Sequence, residues 1–233
     1  MRRRILALLP ESLGRSDGRL PAERQLTDAF GTTRITLREA LTQLEAEGAI
    51  YREERRGWFV SPQRLLYNPE TRGHFEEMVR GQGREPRTEL IEADLVAASP
   101  EMAERLELHP GTVIPRVRRA RSVDGRCVLY VEHYLRPDLS VMLGKDLTGS
   151  MTETYRRDLG FTIERVTFDI MPTALGSEAA QALRVTRGSP ALLITRINRD
   201  QHDRVIDCDV EYWRHHAVLL RVEASSVGGF PRG

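Results

Sequence analysis

Residues 31–50 read GTTRITLREALTQLEAEGAI, and this stretch decides the fold of the first part of the chain. Its apolar residues recur at the spacing of one helical face: Leu37, Ala40, Leu41 and Leu44. Thr32 or Thr33 is a candidate N-cap before this row, and Gly48 follows it where helices commonly end. The pattern therefore predicts an amphipathic helix with one buried stripe.

A second helix is predicted immediately before this one. The segment LPAERQLTDAF, residues 20–30, places Pro21 at a plausible first helical position and turns Leu26, Ala29 and Phe30 inward. Two helices joined by a short turn that contains glycine are typical of a helix-turn-helix, whose second helix enters the major groove of DNA.

Charged and hydroxyl side chains are concentrated at the beginning of the second helix. Arg34, Thr36 and Arg38 lie there, although the N-terminus of a helix disfavours cations that are merely solvated. Arginine can bind guanine through two hydrogen bonds, so these residues are candidate DNA contacts. The next segments, AIYRE and GWFVS, predict a hairpin with a basic tip at Arg55 and Arg56.

Bulk composition fits a folded protein of 233 residues with room for two domains. Up to residue 67 there are 12 arginines against 9 acidic residues, and the remainder carries 23 basic against 25 acidic residues.

No apolar run could cross a bilayer and no signal peptide is recognised, so we expect a cytoplasmic protein. Cys127 and Cys208 are too few for a disulfide framework or a zinc site. We predict domains at 1–62 and 73–226 joined by a linker at 63–72.

The second part of the chain contains an internal repeat. When Leu106 is aligned with Leu183, Arg119 matches Arg196, and each copy reads as a helix, a glycine, a strand, a turn and a strand. Ser150 is a candidate N-cap for a further helix between the copies. We therefore predict an α+β fold with an N-terminal winged helix-turn-helix and a C-terminal antiparallel sheet with helices.

Two groups of charged residues in this part are candidate ligand contacts. Arg119 and Arg121 share one strand face and, with Ser150 at a helix start, could hold a phosphate-like anion. A later strand carries an acidic row that ends in an aromatic residue: Asp207, Asp209, Glu211 and Trp213. This row is either a solvated sheet face or a site for a cationic amine.

The first segment resembles the winged helix-turn-helix of GntR-type bacterial transcriptional regulators. The resemblance lies in LPAER at 20–24, TRITLREAL at 33–41 and GWFV at 57–60. It implies that the DNA contacts are Arg24, Thr33, Arg34, Thr36, Arg38, Arg55, Arg56 and Gly57. The wing of the family commonly has a second glycine where this chain has Arg55.

The second segment is similar to the effector-binding UTRA domain of the HutC branch of that family. The similarity lies in RRARSVDGRCVLYVEHYL and VIDCDVEYWRH. It implies a small anionic effector held by Thr88, Arg119, Arg121, Ser150, Asp207 and Trp213. A glutamate common in the family would fall on Val131, and its role is not transferred to Glu132. A closer resemblance is to regulators associated with phosphonate use, which implies 2-aminoethylphosphonate or a related metabolite.

Other functions are less consistent with the sequence. An enzyme is disfavoured because no nucleophile elbow, P-loop or zinc-protease motif is present. His215 and His216 are adjacent on a predicted strand and face opposite sides, which disfavours a shared metal, so we expect no metal and no cofactor. We expect a homodimer on an inverted-repeat DNA operator. Alternatively, the second domain binds a sugar phosphate or another organic acid, or only dimerises.

Overall fold

The computed structural model describes residues 1–13, 18–53, 56–70 and 74–223, apart from the side chains of residues 10–13. The α-helices in that part of the chain are α1 (Arg2–Leu13), α2 (Glu23–Phe30), α3 (Arg34–Ala46), α4 (Phe75–Arg80), α5 (Pro100–Arg105), α6 (Met151–Asp158) and α7 (Ser177–Ala182), and a 3₁₀ helix spans Pro137–Gly144. The strands are β1 (Ile50–Glu53), β2 (Gly57–Val60), β3 (Leu65–Tyr67), β4 (Pro86–Ala97), β5 (Val113–Val123), β6 (Arg126–Leu135), β7 (Ile163–Ala174), β8 (Pro190–Asp200), β9 (Val205–Arg214) and β10 (Val218–Leu220).

Helices α1 to α3 and the antiparallel hairpin β1–β2 form the winged helix-turn-helix domain. The predicted stripe of α3 is fully buried in its core, where it packs with Ile5, Leu26 and Trp58. Gly31 ends α2 in the left-handed conformation, with φ of 58°. Thr33 rather than Thr32 is the N-cap of α3, and its side chain accepts a hydrogen bond from the Thr36 amide.

Two details of the predicted α2 are wrong. The helix begins at Glu23 rather than at Pro21, because the Gln25 side chain accepts the Ala22 amide and fixes the first turn there. Ala29 is exposed, since the buried row of this short helix runs through Leu26.

The predicted linker contains regular structure. Strand β3 lies within residues 63–72 and pairs in parallel with β10, with Leu65 opposite Val218 and Tyr67 opposite Leu220. The pairing was missed because its partner lies about 150 residues further along the chain, beyond the reach of local pattern. The segment that follows the wing is therefore anchored to the second domain.

A six-stranded antiparallel sheet forms the second domain, in the order β4-β5-β6-β9-β8-β7. This order is symmetric about the central pair β6–β9, as the repeat predicts. Each unit has one strand more than predicted, because β4 precedes the first helix of the repeat and β7 the second. Ser99 caps α5, α7 begins at Ser177, and Ser150 caps α6 as predicted.

The two faces of the sheet have different roles. Helices α5 and α7 cover one face, where Cys208 packs against α5 and Tyr130 against α7. On β9, Cys208 is buried on this face and Val210 and Tyr212 are half-buried there, whereas Ile206 packs with Met151 of α6, because a β-bulge at Ile206 interrupts the pairing with β8. The opposite face carries a cavity described below. Among the described helices, none is long and apolar enough to cross a membrane.

Candidate functional site

The exposed surface at the beginning of α3 brings together most of the predicted DNA contacts. Arg24, Arg34 and Arg38 are all exposed, and no described carboxylate lies within ion-pair distance of Arg24 or Arg34. The hydroxyls of Thr33 and Thr36 are 3.1 Å apart. Arg24, Arg34 and the two threonines can therefore donate to base edges and phosphates without first breaking an ion pair. Arg38 is the exception, because it pairs with Glu23.

Glu23 connects the recognition helix α3 to the wing. Its carboxylate accepts the Arg38 Nε at 2.8 Å and the Trp58 Nε1 at 3.1 Å. Burial opposes ionisation, but the hydrogen bonds from Arg38 and Trp58 keep the pKa of Glu23 below its ordinary value. Arg38 is therefore oriented by the protein, whereas Arg34 is not.

The wing carries the remaining predicted DNA contacts. The Arg56 side chain is 61% exposed and pairs with the buried Glu53, and Gly57 adopts a φ of 101° that favours glycine. Arg55 lies outside the described residues. Ile35 was missed by the sequence analysis: it is 73% exposed between Arg34 and Thr36, where an apolar side chain can contact a thymine methyl group.

Tyr51 of the wing is the centre of the contact between the two domains. Its ring stacks on His216 with centroids 5.7 Å apart, and the Arg126 and Arg214 guanidiniums lie 3.6 and 5.6 Å from its centroid. Tyr51, His216 and both arginines are buried. Because Tyr51 faces away from the core of its own domain, this cluster serves to hold the wing against the second domain.

Replacement of Tyr51 is expected to release this contact. Tyr51→Ala should lower the free energy of unfolding by roughly 3 kcal/mol, the usual cost of deleting a buried aromatic ring. Hydrogen exchange should become faster in β3 and β10, which lie beside the contact. Tyr51→Phe keeps the ring and is the control. Unchanged exchange in Tyr51→Ala would show that the domains do not depend on this ring for their contact.

A cavity of about 330 Å³ lies on the face of the sheet opposite α5 and α7. Five of the six predicted effector contacts line it: Thr88, Arg119, Arg121, Ser150 and Asp207. Trp213 does not line it, so its predicted place in the site is wrong. The Trp213 ring is 2% exposed and packs behind Tyr67 and Phe75, which line the cavity in its place.

Arg119 is held by the protein itself. Its Nη1 donates to the carbonyls of Leu147 and Gly149 at 3.1 and 2.9 Å, and its Nε and Nη2 donate to His133 Nε2. Since Nε2 accepts, the imidazole proton is on Nδ1 and is donated to Asp209. Burial lowers the pKa of His133 to about 3, so the ring is neutral. Arg119 thereby fixes the loop that leads into α6.

Arg121 contributes a second guanidinium to this cavity. Its Nε is buried without a hydrogen-bond partner, and no described carboxylate lies within ion-pair distance. Its guanidinium lies 5.0 Å from the Phe75 centroid, and burial lowers its pKa. Thr88 is opposite it on β4. The start of α6 also lines the cavity, and the first N–H groups of a helix lack acceptors within the helix.

The acidic row of β9 is buried rather than solvated, since Asp207, Asp209 and Glu211 are each at most 3% exposed. Arg196, on the neighbouring strand, lies 2.5 Å from Asp209 and 3.4 Å from Glu211. Burial raises the pKa of Asp207 to about 7, and the charge of Asp209 adds to this. Arg196 was missed as a cavity residue, although the repeat had aligned it with Arg119.

Comparison with known proteins identifies the family to which the two parts of the chain belong. Residues 3–60 match the bacterial regulatory proteins of the gntR family, and residues 81–218 match the UTRA domain. The chain belongs to the GntR family of transcriptional regulators. It carries the UTRA domain of the HutC branch, and family and relatives are DNA-binding regulators rather than enzymes.

Individual relatives share most of their length with this GntR regulator. It is 31% identical to the HTH-type transcriptional regulator YihL of Escherichia coli K12, over 91% of each chain. It is 30% identical to the HTH-type transcriptional repressor NagR of Bacillus subtilis, over 76% of this chain and 73% of that one. The crystal structure of PhnF from Mycobacterium smegmatis shares the fold, with 22% identity, a TM-score of 0.67 and coverage of 97% and 99%.

Proposed function

We propose that this regulator is a cytoplasmic homodimer that represses a catabolic operon and is controlled by a small anionic effector. Each subunit would place α3 in the major groove of one half of an inverted repeat. The exposed arginines at the start of α3 support base reading, and the basic wing supports contacts to the DNA backbone. The domain limits of 1–62 and 73–226 remain part of this proposal.

The unpaired Arg121 is the observation that carries the effector site. A partly buried guanidinium with no ion pair and an unpartnered Nε is unfavourable, and an oxyanion would satisfy it through charge-assisted hydrogen bonds. The hydroxyls of Thr88 and Ser150 and the start of α6 line the same cavity, and all of them suit phosphate, phosphonate or carboxylate oxygens.

Tyr67 connects this cavity with the DNA-binding domain. It lines the cavity and stacks on Trp213 with ring centroids 6.0 Å apart, and it belongs to β3, which follows the wing strand β2. An effector in contact with Tyr67 would favour one position of β3 over another. Binding would then change the distance between the two recognition helices, provided that the effector has different affinity for the two arrangements.

The resemblance to regulators of phosphonate use makes 2-aminoethylphosphonate or a related metabolite the first effector to test. The alternatives are that the second domain binds a sugar phosphate or another organic acid, or that it only dimerises.

DNA selected from a random library by the protein can serve as the operator in gel-shift assays. We expect one of these anions to raise the melting temperature and to change DNA affinity at least about tenfold, or ~1.4 kcal/mol of coupling. Unchanged melting and DNA affinity with every anion would contradict the sensor function.

A further inference from the structure

Two of the buried carboxylates in the cavity region already accept hydrogen bonds from donors of the protein itself. Asp209 accepts hydrogen bonds from His133 Nδ1 and Arg196 Nη2, both at 2.5 Å. Glu211 accepts the Trp213 indole N–H at 2.8 Å, and its Oε1 lies 3.4 Å from Arg196 Nε, so both carboxylates pair with the same guanidinium. A ligand cation would have to displace Arg196 to reach either of them.

Asp207 is the remaining buried carboxyl group, and it is a poor partner for a cation. Its two oxygens accept the Tyr155 hydroxyl at 2.7 Å and the Asn198 amide at 2.5 Å. It is 3% exposed and lies beside Asp209, so ionisation would place two negative charges on the same strand face. An ammonium group would have to compete with the Tyr155 and Asn198 donors for the Asp207 oxygens while lying close to Arg196.

Arg121 has no ion pair with a described carboxylate and its Nε has no hydrogen-bond partner, whereas the other two arginines of this region are held by the protein. Arg196 pairs with Asp209 and Glu211, and Arg119 donates to His133 and to two backbone carbonyls. The other carboxylates lining the cavity are closer to solvent. Glu153 pairs with Arg156 at 2.6 Å, Glu76 lies 3.7 Å from Arg80, and Glu164 is exposed. A solvated carboxylate adds little to the affinity for an amine.

We propose that the effector is an oxyanion without an amine, in which a phosphate, phosphonate or carboxylate group is attached to a neutral body. The anionic group would bind Arg121 and the start of α6. The neutral body would lie among Tyr67, Phe75 and Phe168, with Asn198 beside it. This inference rests on the proposed function, because it specifies the chemistry of the same effector site, and it disfavours 2-aminoethylphosphonate itself.

Matched ligand pairs that differ by an amine test this inference on the full-length protein. Calorimetric titrations at pH 7 would compare 2-hydroxyethylphosphonate with 2-aminoethylphosphonate, and glucose 6-phosphate with glucosamine 6-phosphate. We expect the amine-free member of the pair that binds to be favoured by about tenfold or more, which corresponds to ~1.4 kcal/mol. Equal or tighter binding of the aminated member would overturn the inference while leaving the anion site intact.

A second arm separates this inference from the proposed function. Inorganic phosphate should raise the melting temperature of the wild-type protein and leave that of Arg121→Ala unchanged. Absence of any response to phosphate and to all four ligands would overturn the proposed effector site together with the inference. Asp207→Asn removes the carboxylate and should leave the affinity for the amine-free ligand within about threefold. If that variant instead loses binding of an aminated ligand selectively, Asp207 is an amine site and the inference is wrong.

Discussion

Arg34→Ala is expected to cause a large loss of specific DNA binding while leaving the fold and the effector cavity unchanged. Arg34 is exposed at the first position of α3, and no described carboxylate competes for its guanidinium. A bidentate arginine–guanine contact contributes roughly 1–3 kcal/mol, and a dimer would lose it twice. We therefore expect operator affinity to fall between about 30-fold and 10⁴-fold, as measured by fluorescence anisotropy at fixed salt.

Two companion variants define what Arg34 does. Arg34→Lys keeps the charge and loses the bidentate geometry, so a base contact predicts a loss close to that of alanine, whereas a phosphate contact predicts near-normal affinity. Gln43→Ala, in the last turn of the same helix, is the control and should bind normally. If Arg34→Ala binds as tightly as Gln43→Ala, α3 is not the reading helix.

Arg38→Ala should also lose operator binding, but for a compound reason. The Arg38 guanidinium shares Glu23 with Trp58 of the wing, so its removal eliminates a DNA donor and loosens the wing at the same time. Glu23→Gln separates these effects because it leaves Arg38 in place. The structure thus distinguishes two arginines that the sequence pattern treats as equivalent.

Local pattern was sufficient for the winged domain because its determinants are close in sequence. The stripe of α3, the Thr33 cap and the hairpin all depend on neighbours within a few residues. The period of two likewise placed Arg119 and Arg121 on one face of β5. It could not show that Arg119 is held by His133 and by the loop before α6, since those partners are distant in sequence.

Trp213 is a second residue whose contacts could not be predicted from local sequence. The alternation of β9 correctly placed it on the same face as Asp207 and Asp209, and the cavity does lie on that face. Tyr67 and Phe75 belong to elements outside the repeat, and they cover the indole before it reaches the cavity. Burial of the acidic row also depends on Arg196 of β8 and Tyr155 of α6, which only the folded domain brings into contact with it.

Arg121→Ala is expected to remove anion binding without weakening the unliganded protein. The guanidinium has no ion pair to lose, and its interaction with the Phe75 ring contributes roughly 0.5–1 kcal/mol, partly offset because the substitution removes an Nε that has no hydrogen-bond partner. With 2-hydroxyethylphosphonate or glucose 6-phosphate as ligand, we expect a loss of about 2–3 kcal/mol, or roughly 30- to 150-fold in affinity.

Two neighbours on β5 make this experiment specific. Arg118→Ala is the matched control, because Arg118 lies on the other face of the strand and pairs with Glu178 of α7, so anion affinity should stay normal. Arg119→Ala should lower the melting temperature even without ligand, because it leaves two backbone carbonyls and His133 without their donor. If the Arg121→Ala and Arg118→Ala variants bind the anion equally well, the effector binds elsewhere on the protein. Normal unliganded melting in Arg121→Ala, combined with lost binding, is the pattern of a charge retained for a ligand at no benefit to the fold.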